Sequence, residues 1–131
     1  VDYTARFIAD DYARITFEGR DSTNTSVGCE LRARAFTVYS SKKVKKNIKN
    51  ISDAEAKKIL QLRPVSFDYK NFKADNQKGF IAEEVRDIMP EMVTDGDIPA
   101  IDYSKFVPYL IKMVQIQQKQ IDKLLDKCYN K

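Results

Sequence analysis

Hydrophobic and polar residues alternate along the first third of the chain. Ala13, Ile15 and Phe17 are interleaved with Arg14, Thr16 and Glu18, and Cys29, Leu31, Ala33 and Ala35 with Glu30, Arg32 and Arg34. A period of two predicts half-buried strands, the second running to about Tyr39. Between them lies a loop from Gly19 to Ser26 rich in turn-forming residues. Residues 4–39 therefore read as two or three strands, too few to enclose a core of their own.

Beyond Ser40 the pattern changes. Ser52, with Glu55 three residues on, predicts a capping box and a helix through Ala56, Ile59 and Leu60. That helix stops before Pro64, because the residue preceding a proline disfavours the helical region. Val65, Phe67 and Tyr69 alternate with Ser66 and Asp68, a further strand. Phe80 to Met89 carries Ile81, Val85, Ile88 and Met89 at helical spacing, with Gly79 before it and Pro90 after it. Asp95-Gly96-Asp97 predicts a turn. From Val107 onward a heptad emerges, with Val107, Val114, Ile121 and Cys128 at position a and Leu110, Gln117 and Leu124 at position d. Such a seam predicts a coiled-coil oligomer. β-branched a with Leu at d favours two strands and Gln117 blurs that preference, so the seam does not count subunits. For Phe106 to Val114 an amphipathic helix packed on its own domain fits equally well. The fold class is α+β: short N-terminal strands, a small mixed body and a long C-terminal helix.

The length of 131 residues suits one domain, or one small domain with a stalk. With 43% hydrophobic and 32% charged residues, the chain is neither a disordered tail nor a membrane protein. No stretch approaches the roughly 20 apolar residues of a membrane helix, and no signal-peptide pattern opens the chain. There is no histidine. That removes Ser-His-Asp and Cys-His catalysis and most zinc chemistry. Cys29 and Cys128 lie far apart without metal-ligand spacing, so neither a metal nor a cofactor is expected. They suit a reducing compartment, with Cys29 a small buried hydrophobe. Any catalytic base must be Lys, Asp, Glu or Tyr.

The net charge of +4 is unevenly placed. Residues 1–39 hold five Arg and no Lys against six acids, whereas residues 40–131 hold 16 Lys and two Arg against 13 acids. The excess lies between Ser40 and Lys58, where seven Lys face only Asp53 and Glu55. This switch from Arg to Lys suggests two modules, 1–39 and 40–131. The run Lys42, Lys43, Lys45, Lys46 and Lys49 has no interleaved aromatics and no nucleic-acid motif around it. A solvated face is the preferred reading over nucleic-acid binding.

Within that run Ser40 stands five residues before Lys45. A serine hydroxyl needs a neighbouring base to become a nucleophile. Lysine can be that base only when desolvated or crowded by other cations, and Lys43, Lys46 and Lys49 are close in sequence. Positions i and i+5 lie about 140° apart on a helix, so the pair requires a bend that folds Lys45 back.

The string Ser40, Lys45, Asn47, Ile48 resembles the start of the peptidase S74 family, the C-terminal intramolecular chaperones of phage endosialidases, tail spikes and neck appendages. The resemblance continues through Leu62-Arg63-Pro64-Val65-Ser66-Phe67-Asp68-Tyr69 and Gly79-Phe80-Ile81-Ala82-Glu83-Glu84-Val85. It then includes Pro90, Val93, Asp102-Tyr103-Ser104 and the C-terminal helix, spanning residues 40–131. It implies a homotrimer that templates an upstream β-rich fibre of the same chain and then cuts itself before the serine. Carried onto this sequence, Ser40 is the nucleophile, Lys45 the base and Tyr39–Ser40 the scissile bond. Asn47 is a candidate oxyanion or orienting residue. The trimer seam would comprise Val107, Leu110, Val114, Gln117, Ile121 and Leu124. The setting implied is the host cytoplasm during phage assembly, with release from the mature virion appendage, and no membrane partner. The family commonly has Asp directly after the serine; here that position is Ser41. A non-catalytic trimerisation cap and a basic nucleic-acid module are the alternatives.

Overall fold

The structure, a computed structural model, describes residues 4–9, 15–20, 22, 26–27, 34–35, 37–70 and 75–129. The chain divides into two compact units, Val1–Lys45 with Phe67–Gln77, and Lys46–Ser66 with Lys78–Lys131.

In the first unit, β1 (Thr4–Ala9), β2 (Ile15–Arg20) and β3 (Ser26–Val27) form an antiparallel sheet in that order. Thr4 pairs with Arg20 and Ala9 with Ile15, and Gly19 with Val27. The predicted alternation around Ile15 and Phe17 thus falls within β2. The strand expected to reach Tyr39 does not: Arg34, Ala35 and residues 37–40 join no ladder. The apolar–polar alternation ends at Ala35, and a strand needs a neighbour to take its backbone hydrogen bonds. Val38 and Tyr39 are 82% and 93% exposed. Cys29, Leu31 and Ala33, where that strand was expected to begin, lie outside the described residues.

The second unit carries the core. Ser52 caps α1 (Asp53–Lys57): its Oγ accepts from the Glu55 N–H at 3.2 Å, while Glu55 Oε2 accepts from the Ser52 N–H at 2.8 Å. This is the predicted box. The chain tightens into a 3-10 turn over Lys58–Gln61, and Leu62 is already extended before Pro64. Ala56 and Ile59 face inward, whereas Leu60 points out, because the tightened turn rotates it away from the apolar stripe. β4 (Val65–Phe67) pairs with β5 (Gln77–Gly79), and Tyr69 falls beyond the strand. Gly79 closes β5 without a positive φ, so no special turn calls for it.

Helix α2 (Ala82–Ile88) is followed by a 3-10 turn at Pro90–Met92 and a two-residue hairpin ladder, β6 (Val93–Thr94) with β7 (Ala100–Ile101). Val93 faces Ile101. The predicted Asp95–Asp97 turn lies within that hairpin. Helix α3 (Phe106–Tyr129) has 24 residues. Val85, Met89, Met92 and Phe106 form one buried cluster, and Ala56, Met113 and Ile116 a second; Ile59 packs against both. Lys112 Nζ reaches Asp53 Oδ1 at 2.9 Å, tying α3 to α1 and holding the Asp53 carboxyl below the usual range.

Candidate functional site

Ser41 begins the local structure that sets the Ser40–Lys45 geometry. Its Oγ accepts from the Lys43 N–H at 3.2 Å and caps a 3-10 turn at Lys42–Val44. The Lys45 N–H closes that turn on the Lys42 carbonyl, and Lys45 itself is extended. This is the bend that the serine–lysine spacing requires. Lys45 Nζ donates to Ser40 Oγ at 2.7 Å. Both residues are exposed, as are Lys42, Lys43, Lys46 and Lys49.

Ser41 therefore acts as an N-cap, a role that Asp fills equally well. Its departure from the family pattern keeps the capping oxygen. Sequence reasoning passed over this although the signal was present: serine directly before a short polar turn.

Asn47 has a φ of 54°. That left-handed conformation is one asparagine tolerates better than most residues. It accounts for the residue without a part in chemistry.

The motif after the serine is tied together in the second unit. Arg63 grips Glu84 with two hydrogen bonds, Nε to Oε2 at 3.1 Å and Nη2 to Oε1. The guanidinium holds the Glu84 carboxyl below its ordinary value. Phe80 stacks with Tyr103 and Phe106 at ring separations of 5.4–6.1 Å, and its N–H donates to Tyr103 Oη at 3.1 Å. Asp102 caps the turn leading into α3, its Oδ1 accepting from the Ser104 hydroxyl and N–H, which lowers its carboxyl pKa.

A family model described as chaperone of endosialidase, peptidase S74, matches residues 40–94. That stretch is similar to the family and makes up less than half of the chain. The match begins on Ser40, includes the Arg63–Glu84 tie, and ends on β6; the resemblance read beyond Thr94 lies outside it. No curated protein matches the chain. The S74 match supports an intramolecular chaperone role.

The matched stretch is followed, from Phe106, by a helix with two apolar faces. Phe106, Tyr109, Met113 and Ile116 turn toward the body. Val107, Leu110, Ile111, Val114, Ile121, Leu124 and Leu125 are exposed, as is Gln117. The predicted seam is thus left open, roughly a third of a turn from the face in use. Cys128 is a free, exposed thiol. Among the described residues no cluster of side chains could hold a metal, and no helix is long and apolar enough to cross a membrane.

Proposed function

We propose that the chain is a C-terminal intramolecular chaperone of a phage fibre, spike or appendage. It trimerises through the open face of α3, templates the β-rich region ending at residues 1–39, and releases itself by cutting Tyr39–Ser40. The observation that carries the cut is the 2.7 Å contact between Ser40 Oγ and Lys45 Nζ at the first residue of the matched stretch.

In the proposed step, neutral Lys45 takes the Ser40 hydroxyl proton as Oγ attacks the Tyr39 carbonyl carbon. The Tyr39–Ser40 C–N bond breaks, the proton passes to the leaving Ser40 nitrogen, and an ester joins Tyr39 to Ser40 Oγ. Water hydrolyses that ester, leaving a Tyr39 carboxylate and a free Ser40. Desolvation is what makes a lysine a usable base. Both residues are exposed in the single chain, so assembly is the step that would cover them.

That exposure also favours a second reading, a trimerisation cap without catalysis. Mass spectrometry of freshly expressed protein separates the two. Self-cleavage gives fragments of residues 1–39 and 40–131, increasing with pH, and none from Ser40→Ala or Lys45→Ala. An uncut parent at alkaline pH, on a full-length upstream fibre, would leave only the cap.

A further inference from the structure

Gln117 interrupts the open apolar stripe of α3. Val114 lies three residues before it and Ile121 four after, a spacing that puts all three on one side of the helix, and all three are exposed. The Gln117 amide takes no hydrogen bond among the described residues, whereas the neighbouring Gln118 donates to Asp122 Oδ1 at 2.8 Å.

On a solvated helix surface a glutamine here would need no explanation. Within a seam it does. Whatever covers Val114 and Ile121 also covers the amide between them, and a covered amide without a partner is costly. Glutamine carries a carbonyl acceptor and an NH2 donor, so a second glutamine answers both groups at once. It is its own complement, which points to another copy of this helix as the occupant of the face.

Alignment decides whether Gln117 meets its like. In a parallel, in-register bundle, a positions face a positions and d positions face d positions, so Gln117 meets Gln117. A slip of one heptad sets it against Leu110 or Leu124. In an antiparallel pairing d faces a, and it meets an aliphatic side chain such as Val114 or Ile121. Those alternatives strand the amide, and a single polar position in a seam selects register in this way.

We infer that Gln117 is the alignment lock of the α3 face: in the assembled protein the Gln117 amides bond to one another, each Nε2 donating to Oε1 of the next copy around the axis. This rests on the trimeric reading above. It adds the residue that selects parallel, in-register copies from the arrangements that an apolar seam alone would accept. Such a layer gives up some affinity for that selectivity.

The test has two readouts on the full chain. With Cys29→Ser, the remaining thiol is Cys128, free and exposed eleven residues beyond Gln117 at an a position. Parallel, in-register copies bring two such thiols together, and mild oxidation should give a covalent dimer. Antiparallel copies that set Gln117 against Ile121 would hold them about 27 Å apart, beyond the reach of a disulfide. The second readout mixes chains. Parent and tagged Gln117→Leu are co-expressed, and the assemblies are weighed by native mass spectrometry. Residues that contribute independently add, and would give mixed trimers in binomial proportion. A broken ring leaves an amide unpaired in every mixed trimer, so these should fall about tenfold below that proportion. Binomial mixing, or a trimeric parent whose Cys128 thiols do not pair, overturns the lock and leaves the trimer standing. A parent that stays monomeric at micromolar concentration overturns both.

Discussion

Met113 and Val114 are neighbours about 100° apart around α3, and they answer to different partners. Met113 is 6% exposed and belongs to the cluster with Ala56 and Ile116, whereas Val114 is 63% exposed. Met113→Ala removes buried atoms and leaves a cavity, a loss of about 2–5 kcal/mol. Set against the roughly 5–15 kcal/mol stability of a whole domain, that is a large fraction. Val114→Asp leaves the cluster untouched and should move the single chain's stability by no more than about 0.5 kcal/mol. In an assembled bundle the same position matters far more. Burying a valine fully contributes about 1.5–3 kcal/mol. With a third of the side chain already covered, about 1–2 kcal/mol per copy remains, and three copies lose about 3–6 kcal/mol. Mutual repulsion of three aspartates adds to this. Urea unfolding followed by circular dichroism at low concentration reads the fold; sedimentation equilibrium reads assembly. Met113→Ala should lower the urea midpoint. Val114→Asp should leave it in place and weaken association at least a hundredfold. The two-face argument fails if Val114→Asp unfolds as readily as Met113→Ala, or if it assembles like the parent.

Three further outcomes are expected. Asn47→Gly should fold and cut as the parent does, while Asn47→Ala should lose about 1 kcal/mol of stability through its left-handed backbone; a well-folded but uncut Asn47→Gly would make the amide an oxyanion donor. Ser41→Ala should still cut, but about fivefold more slowly, because a lost cap of about 1 kcal/mol lets Lys45 leave Ser40 more often, and Ser41→Asp should cut at the parent rate. Asp53, Glu55, Glu84 and Asp102 all have carboxyl pKa values lowered by hydrogen bonds, from Lys112, Ser52, Arg63 and Ser104 respectively. Their stabilisation is complete above the ordinary carboxylate range of about 4 and is lost as pH falls through the lowered values. Urea midpoints should therefore drop below about pH 4, less steeply in Glu84→Gln, which should leave cutting and assembly unchanged.

Local features were legible in the sequence, and non-local ones were not. The Ser52–Glu55 box is an interaction across three residues, so the sequence contains all of it. The Ser40–Lys45 contact also lies within one turn of chain, and only the bend had to be supplied. The heptad positions trace one face of α3, and packing of Phe106 to Val114 on the body was the equal alternative, but the heptad does not name the residues that pack there. Phe106, Tyr109, Met113 and Ile116 repeat at helical spacing too, and which stripe meets the body depends on where Ala56 and Val85 sit. The Arg63–Glu84 tie spans 21 residues and leaves no periodic trace. The strand expected to reach Tyr39 erred in the opposite direction at its described end, where residues 37–40 join no ladder; the alternation of Cys29, Leu31 and Ala33 lies outside the described residues.

From Gln117 to Tyr129, every residue of α3 is exposed. A helical stretch that short is marginal in water when nothing lies against it. Its order thus depends on neighbours, and its ellipticity should report how closely copies of the helix are gathered. In dilute solution this half of the helix would fray. If upstream strands hold three copies close together, as proposed, the effective concentration of each helix for the others is high even when the protein is scarce. In the proposed trimer the helix would then serve as a proximity gauge, firm only where three copies of it have been delivered to one place.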